Sequence, residues 1–308
     1  MTSPSGLWFN AQDVGIRVER LEGERAQKTY RYLRIGMIGA ALMLAVSVLV
    51  ERFLARCWQD SISGYYYTPV RAVFVGTLLA VGLALVVIKG EKLEDLFLNI
   101  AGMLAPVVAF VPTRNVGTCF SVEPDPDPLI TGAGGALEFN NAVMKSLENN
   151  MVALIVTGAL GLIVAYVILS VEQGGPVKAM SSDVVDRGTK KTFLALVLIV
   201  ATTAFLLWRW DGFSVHAHNI AAVGMFLFLA LASWWNSRGE TKGYRKVYRA
   251  IALAMVGAVV VILTLAAILG ENWDHSILVL EATELTLFAV YWIVQTREHW
   301  HEWVRSTA

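Results

Sequence analysis

A helix needs roughly 20 apolar residues to cross a hydrocarbon core of about 30 Å. This chain carries eight segments of nearly that length, at residues 32–50, 69–87, 95–111, 151–170, 192–208, 219–235, 251–269 and 277–294. Lipid offers backbone amides no partners, so each segment is expected to be a helix. The third and fifth are short and lean on polar edges. The expected fold is all-α: a polytopic transmembrane helical bundle of about eight spans. Residues 1–31 read as a cytoplasmic N-terminal segment. Residues 32–296 read as the membrane domain, with an outside loop at 113–150, and 297–308 as a cytoplasmic tail. Composition agrees: 56% of the 308 residues are hydrophobic and 16% charged, where a soluble domain carries about a quarter.

An even number of spans places both ends on one side, and the basic residues say which. With the N-terminus inside, six of the 25 basic residues fall outside: Arg52, Arg56, Arg71, Arg114, Lys145 and Arg209. The rest lie inside, so the positive-inside rule puts both termini in the cytoplasm of a multi-pass protein of the inner (plasma) membrane. The polar residues before the first span include Arg17, Arg20, Arg25, Lys28 and Arg31, which is not the pattern of a cleavable signal. The basic residues sit in short loops and make no stripe, which argues against a nucleic-acid partner. Membrane lipids are the expected partners, together with a membrane-protein partner or a second copy of the chain.

On this map Cys57 and Cys119 lie in the first and second outside loops, in an oxidising compartment. They either form a disulfide bridge tying the loops together or remain two thiols that never meet; Cα separation decides. The long loop carries Asp125, Pro126, Asp127 and Pro128, then Gly132, Gly134 and Gly135, which are turn signals. Residues 137–149 read either as a helix over the outer mouth or as a mobile loop. The two halves of the chain do not match, so an inverted repeat is not expected.

Ionisable side chains within spans are costly and mark function. Glu281 and Glu284 lie three apart in the outer half of the last span and share a face with Phe288. Arg71 opens the second span on the same side, and His216 and His218 enter the sixth. Asp211, Asp274 and His275 lie in neighbouring outside loops. Ser61, Ser63, Tyr65, Tyr66 and Tyr67 fill the first. These groups are expected to build an outward-facing polar pocket. Arg71 is the counter-charge of Glu281, and Ser63, Tyr66, His218 and Glu284 are further binding residues. Blander readings compete: an interfacial belt for the tyrosines, snorkelling for the histidines, headgroup contact for Glu284. Glu94 and Asp95 open the third span and read as charges that favour the helix dipole.

No catalytic residue and no cofactor are expected on the main reading. The alternative is zinc on His216 and His218 with Glu281 or His275, ligand types that zinc accepts. Residues two apart on a helix do not face each other, so this needs an extended chain at that point. Gly76, Gly82, Gly158 and Gly161 suit close helix packing. Trp208, Trp210, Trp234, Trp235, Trp292, Trp300 and Trp303 read as interfacial anchors.

The stretch Ser61-Ile62-Ser63-Gly64-Tyr65-Tyr66-Tyr67-Thr68, then Arg71 and Phe74-Val75-Gly76, resembles an uncharacterised family of bacterial polytopic membrane proteins. Asn99, Ala101, Gly102, Pro112 and Thr113 match a later segment of that family. His218, Ala221, Ala222 and Phe226 match another, and Glu281, Phe288 and Trp292 a third. The family often has an aspartate after the arginine, where Ala72 stands here. The resemblance implies a helical membrane bundle without a known reaction. A fainter likeness, to alkaline ceramidases and adiponectin-type receptors, maps zinc chemistry onto Ser63, His216 and His218. Its histidine spacing and its aspartate are not matched.

The function expected is that of a non-enzymatic membrane protein whose polar pocket binds or passes a small ligand, ion or lipid headgroup, or that serves as a subunit of a membrane assembly. The alternative is a zinc-dependent membrane lipid hydrolase.

Overall fold

The computed structural model describes residues 11–88, 90, 92–111, 113, 136–172, 187–209, 212–239, 242–270 and 273–300. Among these the chain is all-helical, with no strand. α1 spans Ala11–Ala55 and is followed by a short 3-10 helix, Ser63–Tyr67. Then come α2 (Arg71–Val87), α3 (Lys92–Phe110), α4 (Ala136–Glu172), α5 (Arg187–Arg209), α6 (Phe213–Asn236), α7 (Lys242–Leu269) and α8 (Ser276–Glu298). Each contains one of the eight apolar runs. Six helices are long and apolar enough to cross a membrane, in α1, α3, α4, α6, α7 and α8. α2 and the Phe193–Arg209 part of α5 are shorter apolar helices.

Packing closes a ring. α1 lies on α2, α2 on α3, α3 on α6, α6 on α7, α7 on α8, and α8 returns to α1. α5 leans on α3, and α4 on both. The tightest join is between α2 and α3. A Cβ added to Gly82 would stand 2.8 Å from the Gly102 carbonyl oxygen, and one added to Gly102 would stand 2.6 Å from that of Gly82. Only glycine lets two backbones approach so closely. Gly76 and Gly161 have open space around them, and at Gly158 the nearest atom is an ordinary 3.4 Å away, so close packing is not what these positions serve.

The ring's interior is filled by small, aliphatic and aromatic side chains, among them Ala101 and Ala105 on α3, Leu85 on α2, and Phe288, Tyr291 and Trp292 on α8. Trp292 is therefore no interfacial anchor, whereas Trp208, Trp234 and Trp300 are exposed. Trp210 and Trp303 lie outside the described residues. The outer faces of the helices are apolar too, with Leu42, Val46, Val164 and Leu253 all exposed. So large an apolar surface belongs in lipid.

The start of the apolar part of α1 and the end of α8 meet, where the Arg31 guanidinium donates to the Trp300 carbonyl at 2.6 Å. The segment between α1 and α2 folds over the opposite end of the ring. There the Leu278 amide, in the first turn of α8, donates to the Asp60 carbonyl at 2.8 Å. Residues 136–150 are helical and continuous with the span in α4, so that part of the long loop is helix. Cys119 lies outside the described residues, and the expected bridge to Cys57 with it.

Candidate functional site

The 3-10 helix begins at Ser63 behind Ile62, a residue with no side chain able to cap it. The orphan amides of a helix start must find acceptors elsewhere. Here the acceptor comes from α8. Glu281 Oε2 accepts from the Ile62 amide at 2.5 Å and from the Ser63 amide at 3.2 Å. Glu281 Oε1 accepts from the Ser63 hydroxyl at 2.8 Å. Ser61 Oγ takes the next amide, Gly64, at 2.8 Å. All the first-turn donors are thereby satisfied, and Glu281 holds the loop across the mouth of the ring.

Below that cap lies a cavity of about 70 Å³, room for about two waters at ~30 Å³ each. Glu281 and Ser63 line its polar end. Phe74 and Val81 of α2, Leu229 of α6 and Phe288 of α8 line its apolar body. Thr77 also lines it, and its buried hydroxyl has no hydrogen-bond partner among the described residues. The cavity is thus mainly apolar with polar points, where a polar pocket was expected.

Arg71 does not pair with Glu281. Its guanidinium donates to the Tyr66 hydroxyl at 2.8 Å and lies 4.4 Å from the centre of that ring. Glu281 is already supplied with donors by backbone and serine, so the expected ion pair is replaced by two separate arrangements. Tyr65 and Tyr66 are fully buried, which rules out an interfacial belt for both. Tyr66 packs edge-on to Tyr67 and Phe74. The Tyr67 hydroxyl donates to the Thr113 carbonyl at 2.6 Å, tying the loop to the chain beyond α3. Burial raises the Tyr65 phenol above its ordinary value, so it stays protonated.

The other expected residues go elsewhere. His218 is buried, and its Nδ1 lies 2.6 Å from the Val111 carbonyl oxygen. A carbonyl only accepts, so Nδ1 carries the proton and His218 is a strut between α3 and α6. His216 is exposed. Both histidines sit on the regular helix α6, so they point apart and the extended geometry that zinc required is absent. Among the described residues no three His, Cys, Asp or Glu come together to hold a metal ion. Glu284 is buried on the inward stripe of α8, and neither carboxyl oxygen has a partner among the described residues. It does not join Glu281 at the cavity.

A second polar cluster, not foreseen, closes the other end of the ring. Glu94 Oε1 accepts from Asn236 Nδ2 at 2.8 Å, Gln295 Nε2 at 2.5 Å and the Tyr291 hydroxyl at 3.2 Å. The Tyr248 hydroxyl donates to Glu298 at 2.5 Å beside it, with its ring edge-on to Tyr291. Glu94 is buried, so its place in the first turn of α3 is the smaller part of its role. One sequence signal for this cluster exists: Tyr291 and Gln295 are four apart on the last span, a polar pair on one helix face.

Comparison with protein-family models, with curated proteins and with solved structures gives no match to this chain.

Proposed function

We propose that this chain is a non-enzymatic multi-pass membrane protein that binds a small amphipathic molecule inside the six-helix ring. The polar end of the ligand sits at Glu281 and Ser63, and its apolar part lies against Phe74, Leu229 and Phe288. The observation that carries this reading is Glu281, a carboxyl group reaching from α8 to the end of an apolar cavity, with both oxygens accepting from fixed donors. Acceptance at both oxygens is what an ionised carboxylate offers. A negative group at the end of an apolar cavity favours a ligand ammonium or hydroxyl and repels a carboxylate.

The test uses probes small enough for the cavity. Ethylamine and ethanol are each expected to raise the melting midpoint of the purified protein, and acetate is not. Occupancy at a hundred times Kd is worth about 2.7 kcal/mol. Glu281→Gln is expected to lose the response to ethylamine and keep that to ethanol. Acetate stabilising as well as ethylamine, or an unchanged ethylamine response in Glu281→Gln, overturns the reading.

The same reading holds that all eight helices span the plasma membrane, with both ends in the cytoplasm. The distribution of basic residues and the Arg31–Trp300 contact support it. Tags at either end are then expected to react with an impermeant label only after the membrane is opened. Labelling of one tag in intact cells removes the even number of spans.

A further inference from the structure

Where α8 packs on α1 to close the ring, the two helices leave a groove between them. A crevice of about 560 Å³ runs there, lined by Ala41 and Ala45 of α1, by Ala282 and Ala289 of α8, and by Trp58 and His275 at one end. The alanines make the space: each withholds the side chain that would otherwise fill the gap between two packed helices. On α8 the lining runs from Leu278 to Ala289, which at 1.5 Å per residue is about 16 Å. One leaflet of a hydrocarbon core of about 30 Å has nearly that depth. The length of the crevice therefore fits a single layer of lipid tails.

Its polar atoms gather at the loop end. His275 Nδ1 is buried and has no partner among the described residues. Trp58 carries the Arg52 guanidinium 5.2 Å from its ring centre, and Arg52 Nε is likewise buried without a partner. A cation and an imidazole with unpartnered nitrogens stand where an apolar slot meets the headgroup level. That is the complement of an acidic headgroup on an acyl chain. The slot also adjoins the ring's own cavity, since Ala41, Ile62 and Leu285 line both.

We propose that the crevice between α1 and α8 holds one acyl chain of an anionic phospholipid, its phosphate at Arg52 and His275 and its tail running toward Ala289. The site is separate from the one on Glu281 and does not depend on it. A lipid held here covers a part of the ring wall where Ala41, Ile62 and Leu285 divide the cavity from the crevice.

The full chain, purified in detergent and equilibrated with phosphatidylglycerol and phosphatidylcholine of equal chain length, is read by native mass spectrometry. One phospholipid is expected to stay bound per chain, with phosphatidylglycerol preferred. Ala45→Trp and Ala282→Trp fill the slot and are expected to lower retention by about tenfold. Val46→Trp, on the exposed face of the same helix, should retain lipid as the wild type does. Should either filling variant fail to melt cooperatively, Ala45→Leu gives the same comparison with a smaller side chain. Arg52→Gln combined with His275→Gln is expected to keep a bound lipid but to lose about fivefold of the preference for phosphatidylglycerol. Wild-type retention in a folded filling variant overturns the acyl-chain site, and an intact preference in the double variant overturns the headgroup assignment. A wild-type chain that retains no lipid overturns both. The ethylamine response of the filling variants reports on the ring site separately.

Discussion

Glu94→Ala is expected to destabilise the protein by about 3 kcal/mol or more. In a chain of this size that lowers the melting midpoint by about 5 °C. The reason is the number of donors that depend on one oxygen. Asn236 from the end of α6 and Tyr291 and Gln295 from α8 all point at Glu94 of α3. Removing the acceptor strands buried N–H and O–H groups, and each stranded group costs about 1–3 kcal/mol. Part of the loss is recoverable. The Tyr291 hydroxyl already lies 3.1 Å from Asn236 Nδ2 and 3.2 Å from Gln295 Nε2, so it can accept one of the orphaned donors. Glu94→Gln keeps an acceptor oxygen in place and is expected to lose less than half as much. Melting of Glu94→Ala within about 1 kcal/mol of the wild type would show that the cluster is peripheral to stability. Equal losses in the two variants would show that the carboxylate's charge, and not its acceptor count, holds the helices.

That cluster marks the limit of what residue order reveals. The helices themselves are legible because lipid forces one answer on any long apolar run: the backbone must bond to itself. All eight apolar runs therefore reappear inside helices. Which helices touch is a different matter. Glu94 meets Asn236 and Gln295 across separations of 142 and 201 residues. Nothing in the spacing of polar residues along separate spans assigns them to each other, and so Glu94 read as a helix-start charge.

The candidate site was half legible, for a related reason. Glu281 stood out because an acid inside an apolar span needs an explanation, and Ser63 because it sits in a short polar loop on the same side. Their meeting follows from both lying at one end of the ring. The partner that the sequence suggests for Glu281 is a charge, Arg71, since charges are visible in a sequence. The donors that it actually uses are mostly backbone amides, Ile62 and Ser63, which every residue carries and no residue type signals. Arg71, five residues beyond Tyr66, is taken up by the neighbouring phenol, where cation and ring attract one another without any acid. His216 and His218 diverge simply because the helix starts at Phe213, ahead of both.

Gly102 carries the second large expectation, and it joins packing to function. Gly102→Ala places a Cβ 2.6 Å from the Gly82 carbonyl oxygen, 2.9 Å from Val86 and 3.0 Å from Leu85. Backbone cannot swing aside as a flexible side chain can, so α2 and α3 must separate, at about 1–3 kcal/mol for the methyl group. Gly102→Leu is expected to prevent accumulation of folded protein, whereas Gly161→Ala, which meets nothing within 4 Å, should melt within about 0.5 kcal/mol of the wild type. The functional consequence comes from what α2 carries. Phe74, Thr77, Leu78, Val81 and Leu85 of that helix all line the cavity below Glu281, and Val108 of α3 faces them. Forcing these helices apart opens the cavity along its length while leaving the Glu281 cap on α8 and the 3-10 helix untouched. Gly102→Ala should therefore bind ethylamine more weakly than the loss of stability alone requires, in protein still folded at the temperature of measurement. Unaltered binding there would show that the ligand does not occupy the space between α2 and α8, and that Glu281 serves only to fasten the loop.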